Sequence, residues 1–327
     1  MKKVSILVPE NAVLQAIADP RYLFESVNDF LRVGGREPLF AVQLVGVSEE
    51  VRLGGGAFTV RTDCRLDAAA GADLVVIPAL SGNLEEAVER NAPLLAFVRR
   101  EYARGAEVAS LCLGAFLLAA TGLLDEKQCS THWGFQDQFR QLYPRVHLLN
   151  GSIVTEQDRL YTSGGAHSYW NLLLHLIEKY VDRATAIRAA KYFAIDIDRD
   201  SQAAFSIFQG HKTHDDEVVR HAQSYIERHV ADRIGVDELA DRACLSRRTF
   251  ERRFRAATHH SVLQYISRVK MEFAKRSLES SQKTIGEVMG EVGYEDTSSF
   301  RATFKSVTGL TPAAYRRKYN RQRSTVN

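Results

Sequence analysis

The sequence predicts an α/β domain over residues 1–208 and an all-α domain over residues 218–320, joined by a linker at 209–217. Three observations carry that prediction. Short β-branched runs alternate with helical patterns in the first part, strand patterns vanish after Val218, and the helical part repeats itself at a spacing of 50 residues.

The β-branched runs are Val4–Val8, Phe40–Val47, Ala72–Pro78 and Glu107–Leu111, each followed by a stretch with helical periodicity. Strand and helix in strict alternation imply a parallel sheet sandwiched between helices, the flavodoxin-like arrangement. Phe208–Glu217 is polar, holds a glycine and has neither periodicity, which gives the linker. The 327 residues, 45% of them hydrophobic and 25% charged, supply cores for two globular domains. The N-terminus lacks a signal-peptide core and no later apolar run spans a bilayer, so the cytoplasm is the expected location, with no membrane partner. Cys64, Cys112, Cys129 and Cys244 have neither paired nor CxxC spacing, so no disulfide framework, zinc site or other metal site is expected. His211 and His214, like His259 and His260, lack a third ligand and read as solvated loop residues.

The net charge of +3 hides an asymmetry. Residues 1–210 hold 21 Lys+Arg against 25 Asp+Glu, whereas residues 211–327 hold 22 against 15. A positive balance concentrated on a small domain suits a phosphate backbone, and fits an acidic protein or membrane surface on charge alone.

Within the helical part, Ser246–Tyr265 matches Asp296–Tyr315: Phe250 with Phe300, Phe254 with Phe304, Arg255 with Lys305, Thr258 with Thr308, and Tyr265 with Tyr315. Upstream, Leu239 and Ala240 match Val288 and Met289 at one residue less, so the insertion falls in a turn. Each copy has the ingredients of a helix-turn-helix: a short apolar-faced helix, a turn, and a second helix capped by Ser246 or Asp296. Phenylalanines four apart share one helical face and pack inward. The positions left outside are Arg247, Arg248, Glu251 and Arg252 in the first copy and Thr297, Ser298 and Arg301 in the second, polar groups suited to base edges in a major groove. Arg253 and Lys305 are expected near phosphates. A helix over Val262–Leu278 would hold the two units at fixed separation.

Residues 218–319 resemble the AraC/XylS family of regulators, most specifically over Val292–Arg316 (VGYEDTSSFRATFKSVTGLTPAAYR). The resemblance implies sequence-specific binding of double-stranded DNA, with base contacts at Arg248, Glu251 and Arg252 and at Thr297, Ser298 and Arg301. It also implies a homodimer and RNA polymerase as a further partner. The sequence departs from the family where Ala302 replaces a usual arginine and His259 replaces the glycine that Gly309 supplies. Met289 and the helix-interior Gly286 and Gly290 suggest a softer second unit, each glycine costing about 1 kcal/mol against alanine.

In the first domain, Glu107–Leu124 (EVASLCLGAFLLAATGLL) sets Cys112 between an apolar strand and an apolar helix, with small neighbours Ser110 and Gly114. This is a nucleophile-elbow arrangement, and a thiolate would be favoured at such a helix start. Together with Asp73–Pro78, Gly122–Asp125, Thr131–Trp133, Leu160–Ala166 and Ser201–Phe205, it resembles the class I glutamine amidotransferase-like (PfpI-like) fold, in the branch fused to AraC-type domains. In that family a carboxylate pairs with the cysteine; the aligned position here is Ala16, with Glu10 nearby, and a later position often held by Asp is Asn171. Cys112 and His132 are therefore vestigial catalytic candidates, and no enzyme activity or cofactor is expected. Glu10, Gly82, Cys112, His132, Trp133 and Asn171 are the expected lining of a pocket for a small-molecule effector. Two other readings stay open: a Cys-dependent hydrolase or lyase of small amides or aldehydes carrying a DNA-binding domain, and a constitutive DNA binder whose N-terminal domain only dimerises. Cys112 itself also reads as a small buried filler at a tight turn.

Overall fold

The computed structural model describes residues 1–69, 71–149, 151–197, 201–208, 210–212 and 214–320. The chain divides into two compact units, Met1–Gln202 and Ala203 onward, each with its own hydrophobic core.

The strands of the first unit are β1 (Lys2–Leu7), β2 (Phe40–Gly46), β3 (Glu50–Leu53), β4 (Phe58–Arg61), β5 (Cys64–Arg65), β6 (Leu74–Ile77), β7 (Glu107–Ser110), β8 (Gln128–Cys129), β9 (His147–Leu148), β10 (Val154–Gln157) and β11 (Leu160–Ser163). Its helices are α1 (Gln15–Val33), α2 (Leu84–Arg90), α3 (Ala92–Ala103), α4 (Ala115–Ala120), α5 (Gln136–Leu142), α6 (Tyr169–Tyr180) and α7 (Arg183–Tyr192). Seven strands form one sheet in the order β10-β11-β7-β6-β1-β2-β5, parallel throughout except for the β10–β11 pair. The expected runs fall on β1, β2, β6 and β7. β6 is buried at every residue, as a central strand covered by helices on both faces must be. Helices α1, α6 and α7 pack on one another, as do α2, α3 and α4, which gives the helical layers of the sandwich.

The second unit contains α8 (Glu217–Arg228), α9 (Val236–Arg242), α10 (Arg247–Thr258), α11 (Val262–Ser280), α12 (Ile285–Glu291), α13 (Thr297–Thr308) and α14 (Pro312–Tyr319). α9–α10 and α12–α13 are the two helix-turn-helix units, and α11 is the expected connecting helix. Ser246 and Asp296 cap α10 and α13 by accepting from the Thr249 and Ser299 amides. Phe250, Phe254, Phe300 and Phe304 are wholly buried. His259 closes α10 in the left-handed conformation at φ 57°, where Gly309 closes α13 at φ 73°. The non-glycine cap thus keeps the glycine geometry.

The unit starts earlier than the expected boundary at 208. Phe205 packs on Tyr319 and Phe208 on Tyr265. The expected linker 209–217, of which Gln209 and Thr213 lie outside the described residues, is also tied down. Lys212 pairs with Glu227, His214 shares a hydrogen bond with Gln223, and Asp216 caps α8. Part of its polarity reflects partners on α8, while Lys212, Asp215 and Glu217 stay exposed.

Candidate nucleic-acid interface and N-terminal site

In α10, the phenylalanines four apart bury one face and leave Arg248, Glu251, Arg252 and Arg255 exposed on the other. Arg248 and Arg252 sit one turn apart with no ion pair among the described residues, so both guanidinium groups are free to fork onto guanine edges or phosphates. The neighbouring arginines are engaged. Arg247 pairs with Asp237 at 3.1 Å and with Glu251 at 3.4 Å, which leaves Arg247 and Glu251 exposed but mutually neutralised. Arg253, expected beside phosphates, instead donates two hydrogen bonds of 2.9 Å to the Asp216 carboxylate. It staples α10 to the start of α8 and holds the Asp216 carboxyl below its usual range. In α13, Thr297, Ser298, Arg301, Ala302 and Lys305 are all exposed, and neither Arg301 nor Lys305 has an ion pair among the described residues.

The turns explain how two short helices are held against each other. Leu245 and Tyr294 donate backbone hydrogen bonds to Ala240 and Met289, closing equivalent turns at Cys244 (φ 53°) and Gly293 (φ 66°). A Cβ on Gly293 would meet the Ala231 carbonyl oxygen at 2.0 Å. Lys270 of α11, nearly buried, donates to the Asp232 and Val292 carbonyls beside this turn, and its burial lowers its pKa.

In the first unit, Glu10, Gly82, Cys112, His132 and Trp133 stand on segments that follow strands, whereas Asn171 lies within α6. Chain order reverses beside β1, between β2 and β6, which is where open parallel sheets bind ligands. The loops after β1 and β6 are stitched together: Ser81 donates to the Asn11 carbonyl and Val13 to that of Ala79. Glu10 and Gly82 stand on these loops, Glu10 exposed and Gly82 at φ 78° beside Asn11. The buried Asn11 Oδ1 has no partner among the described residues.

Cys112 occupies the elbow after β7 at φ 53°, a left-handed conformation that costs a non-glycine residue about 1–2 kcal/mol. Close packing keeps it there: a Cβ on Gly114 would meet the Pro78 and Ile77 carbonyl oxygens at 2.6 and 2.7 Å. The Cys112 amide donates to Ser163 Oγ, and its carbonyl accepts from Thr131 Oγ1. The geometry of a nucleophile is present but its electrostatics are not. Burial pushes the thiol up to about 12, so it is protonated at neutral pH. His132 makes no hydrogen bond to it among the described residues. Its Nδ1 accepts from the Gly134 amide, which leaves the ring proton on Nε2, and burial lowers its pKa.

Three residues that the sequence did not single out complete this region. Asp19, on α1 three residues beyond Ala16, accepts from Tyr169 Oη at 2.6 Å and from Trp170 Nε1 at 3.1 Å. Burial and this bond raise the Tyr169 pKa, to which Cys112 also contributes. The α1 carboxylate is thus committed to a phenol and an indole. Trp133 and His132 approach Gly165, while the Asn171 amide donates to the Asp196 carbonyl and ties α6 to the chain beyond α7.

Comparison with known proteins adds the following. A DJ-1/PfpI family model matches residues 23–179, and a helix-turn-helix domain model matches residues 239–318. The curated Pseudomonas aeruginosa protein named HTH-type transcriptional regulator GbdR is 25% identical over 254 residues, covering 77% of this chain and 68% of that protein. A Vibrio parahaemolyticus protein of solved structure is similar at TM-score 0.52 and 20% identity, covering 58% of this chain and 98% of its own. A Pseudomonas syringae ThiJ/PfpI family protein is similar at TM-score 0.50 and 18% identity, covering 62% and 78%. The structural likenesses concern fold alone.

Proposed function

The chain carries a DJ-1/PfpI-type domain followed by an AraC-type helix-turn-helix domain, and on that premise we propose a DNA-binding transcription regulator controlled by a small molecule bound in the first domain. The observation that carries the DNA-binding part is the duplicated, capped helix-turn-helix frame with Arg248 and Arg252 exposed on α10 and without an ion pair among the described residues. α10 enters a major groove and reads bases; α13, with its single arginine, adds position more than discrimination.

The first domain acts as a sensor and not an enzyme. Its elbow keeps the backbone of a catalyst, which favours the hydrolase reading, but the thiol is protonated, His132 is turned to Gly134, and Asp19 is held by Tyr169 and Trp170. The effector lies among Glu10, Asn11, Gly82, Cys112, His132 and Trp133, where Asn11 Oδ1 offers an acceptor to a donor group on the ligand. Asn171, whose amide is used internally, contributes structure. The regulator works as a homodimer in the cytoplasm, with symmetric half-sites and RNA polymerase as its further partner.

Selection of bound duplexes from a random pool should yield a defined motif, with half-sites about 10 bp apart or multiples of it. Repeating it with candidate metabolites should change the recovered affinity. A pool that never enriches would overturn the DNA-binding reading. Turnover of an amide or aldehyde that Cys112→Ala abolishes would replace the sensor by the enzyme.

A further inference from the structure

We propose that Gln202–Phe208 is the transmission element of this regulator, converting occupancy of the N-terminal site into a change at α11 and α13. This rests on the sensor reading above and names its mechanism.

At one end, Gln202 is 1% exposed and bonds the Thr131 carbonyl, one residue before His132. Its Oε1 accepts from the Gly165 amide at 2.7 Å, and its Nε2 donates to the Thr131 and Ser152 carbonyls at 3.0 and 3.1 Å. Its backbone amide donates to Gly151. Thr131 precedes His132 and also bonds the Cys112 carbonyl, while Gly165 abuts His132 and Trp133. A ligand that displaces any of these shifts the donors and acceptors that fix Gln202.

At the other end, anchoring resumes at once. The 3₁₀ turn Ala203–Phe205 lies against α13. The Ala204 carbonyl accepts from Tyr319 Oη at 3.0 Å, and the Ser206 carbonyl accepts from Lys275 Nζ at 2.6 Å. The Phe208 amide donates to Glu272 Oε2 at 3.1 Å. Lys275 and Glu272, both nearly buried, pair at 2.6 Å on α11, the helix that spaces the two DNA-reading units. Breaking one partner of such a pair leaves an uncompensated buried charge, so the segment is held stiffly. One residue separates the Gln202 amide from the Ala204 carbonyl. With Cα atoms about 3.8 Å apart along the chain, that is too short a length to absorb a displacement as slack.

The test is a double-mutant cycle on the full chain, using the duplex that the wild-type chain selects. Gly164→Ala changes no residue of the helical unit, but its Cβ would meet Gln202 Nε2 at 2.4 Å and must displace it. Gln202→Ala removes the same anchor without adding bulk. Each should shift DNA affinity at least about fivefold, the lower end of allosteric coupling. A six-residue Gly-Ser insert between Gln202 and Ala203 should bring both shifts below about twofold, since such a segment is flexible. Equal shifts with and without the insert, or affinity indifferent to both variants, would overturn the proposal while leaving DNA binding intact; failure of the wild-type chain to select any duplex would instead remove the underlying reading. Hydrogen exchange needs neither substitution: the insert should lower amide protection over Thr297–Thr308, and unchanged protection overturns the proposal.

Discussion

The two helix-turn-helix units share one frame and differ in almost everything laid upon it. Phe250 and Phe254 match Phe300 and Phe304 in burial, Thr258 and Thr308 bond back to Phe254 and Phe304, and Tyr265 and Tyr315 hold Glu227 and Glu279. The left-handed positions also coincide, yet the first unit fills them with Cys244 and His259 and the second with Gly293 and Gly309. The reading faces diverge too: Arg248, Arg252 and Arg255 against Arg301 and Lys305. Core and caps therefore specify the motif, and the outward face is free to vary under it.

The largest expected effect breaks the equivalence of the turns. Gly293→Ala combines positive φ, costing about 1–2 kcal/mol, with a carbonyl contact that forces backbone movement of similar or greater cost, on the order of 3 kcal/mol or more together. Urea unfolding of the helical unit should show this loss. Cys244→Gly should stay within about 1 kcal/mol of the parent, because relief of strain offsets the entropy of a new glycine. Equal losses at the two turns would refute the distinction.

Much of this frame was legible because it is local and periodic. The spacing of 50 residues exposed the repeat, alternating runs exposed the sheet, and small residues around Cys112 exposed the elbow, now seen at φ 53°. Elements of only two residues, such as β5, β8 and β9, have no period to detect. Long-range partners were equally hidden. Nothing in the spacing ties Arg253 to Asp216, 37 positions away, or Asp19 to Tyr169, 150 away. The stretch 209–217 read as a linker because its polar groups reveal composition and not their partners on α8.

A middle-sized effect tests the reading faces. Arg248→Ala and Arg252→Ala should each remove about 1–3 kcal/mol of discrimination between the selected duplex and single-base variants. Arg301→Ala should cost less in the same competition assay. A larger loss at Arg301 would reverse the ranking of the two units.

The smallest effect separates two cations on the second helices of the two copies, two positions apart in the repeat. Lys305 is exposed and unpaired among the described residues, so Lys305→Ala should weaken binding across sequences and lower the salt slope by about one. Arg253 is held by Asp216, and Arg253→Ala should leave the slope unchanged. Its loss should appear in stability instead. Arg253, first, and then the Val219 amide hold the Asp216 carboxyl below its usual value, a depressed folded-state pKa. Such a group contributes fully above the unfolded value, about 4, and loses its contribution as pH falls through the lower folded value. Wild type and Arg253→Ala should therefore differ at neutral pH and converge as the pH falls below the ordinary carboxylate range, by a small amount because the pair is partly solvated. A salt slope that falls on Arg253→Ala would return this residue to the phosphate backbone.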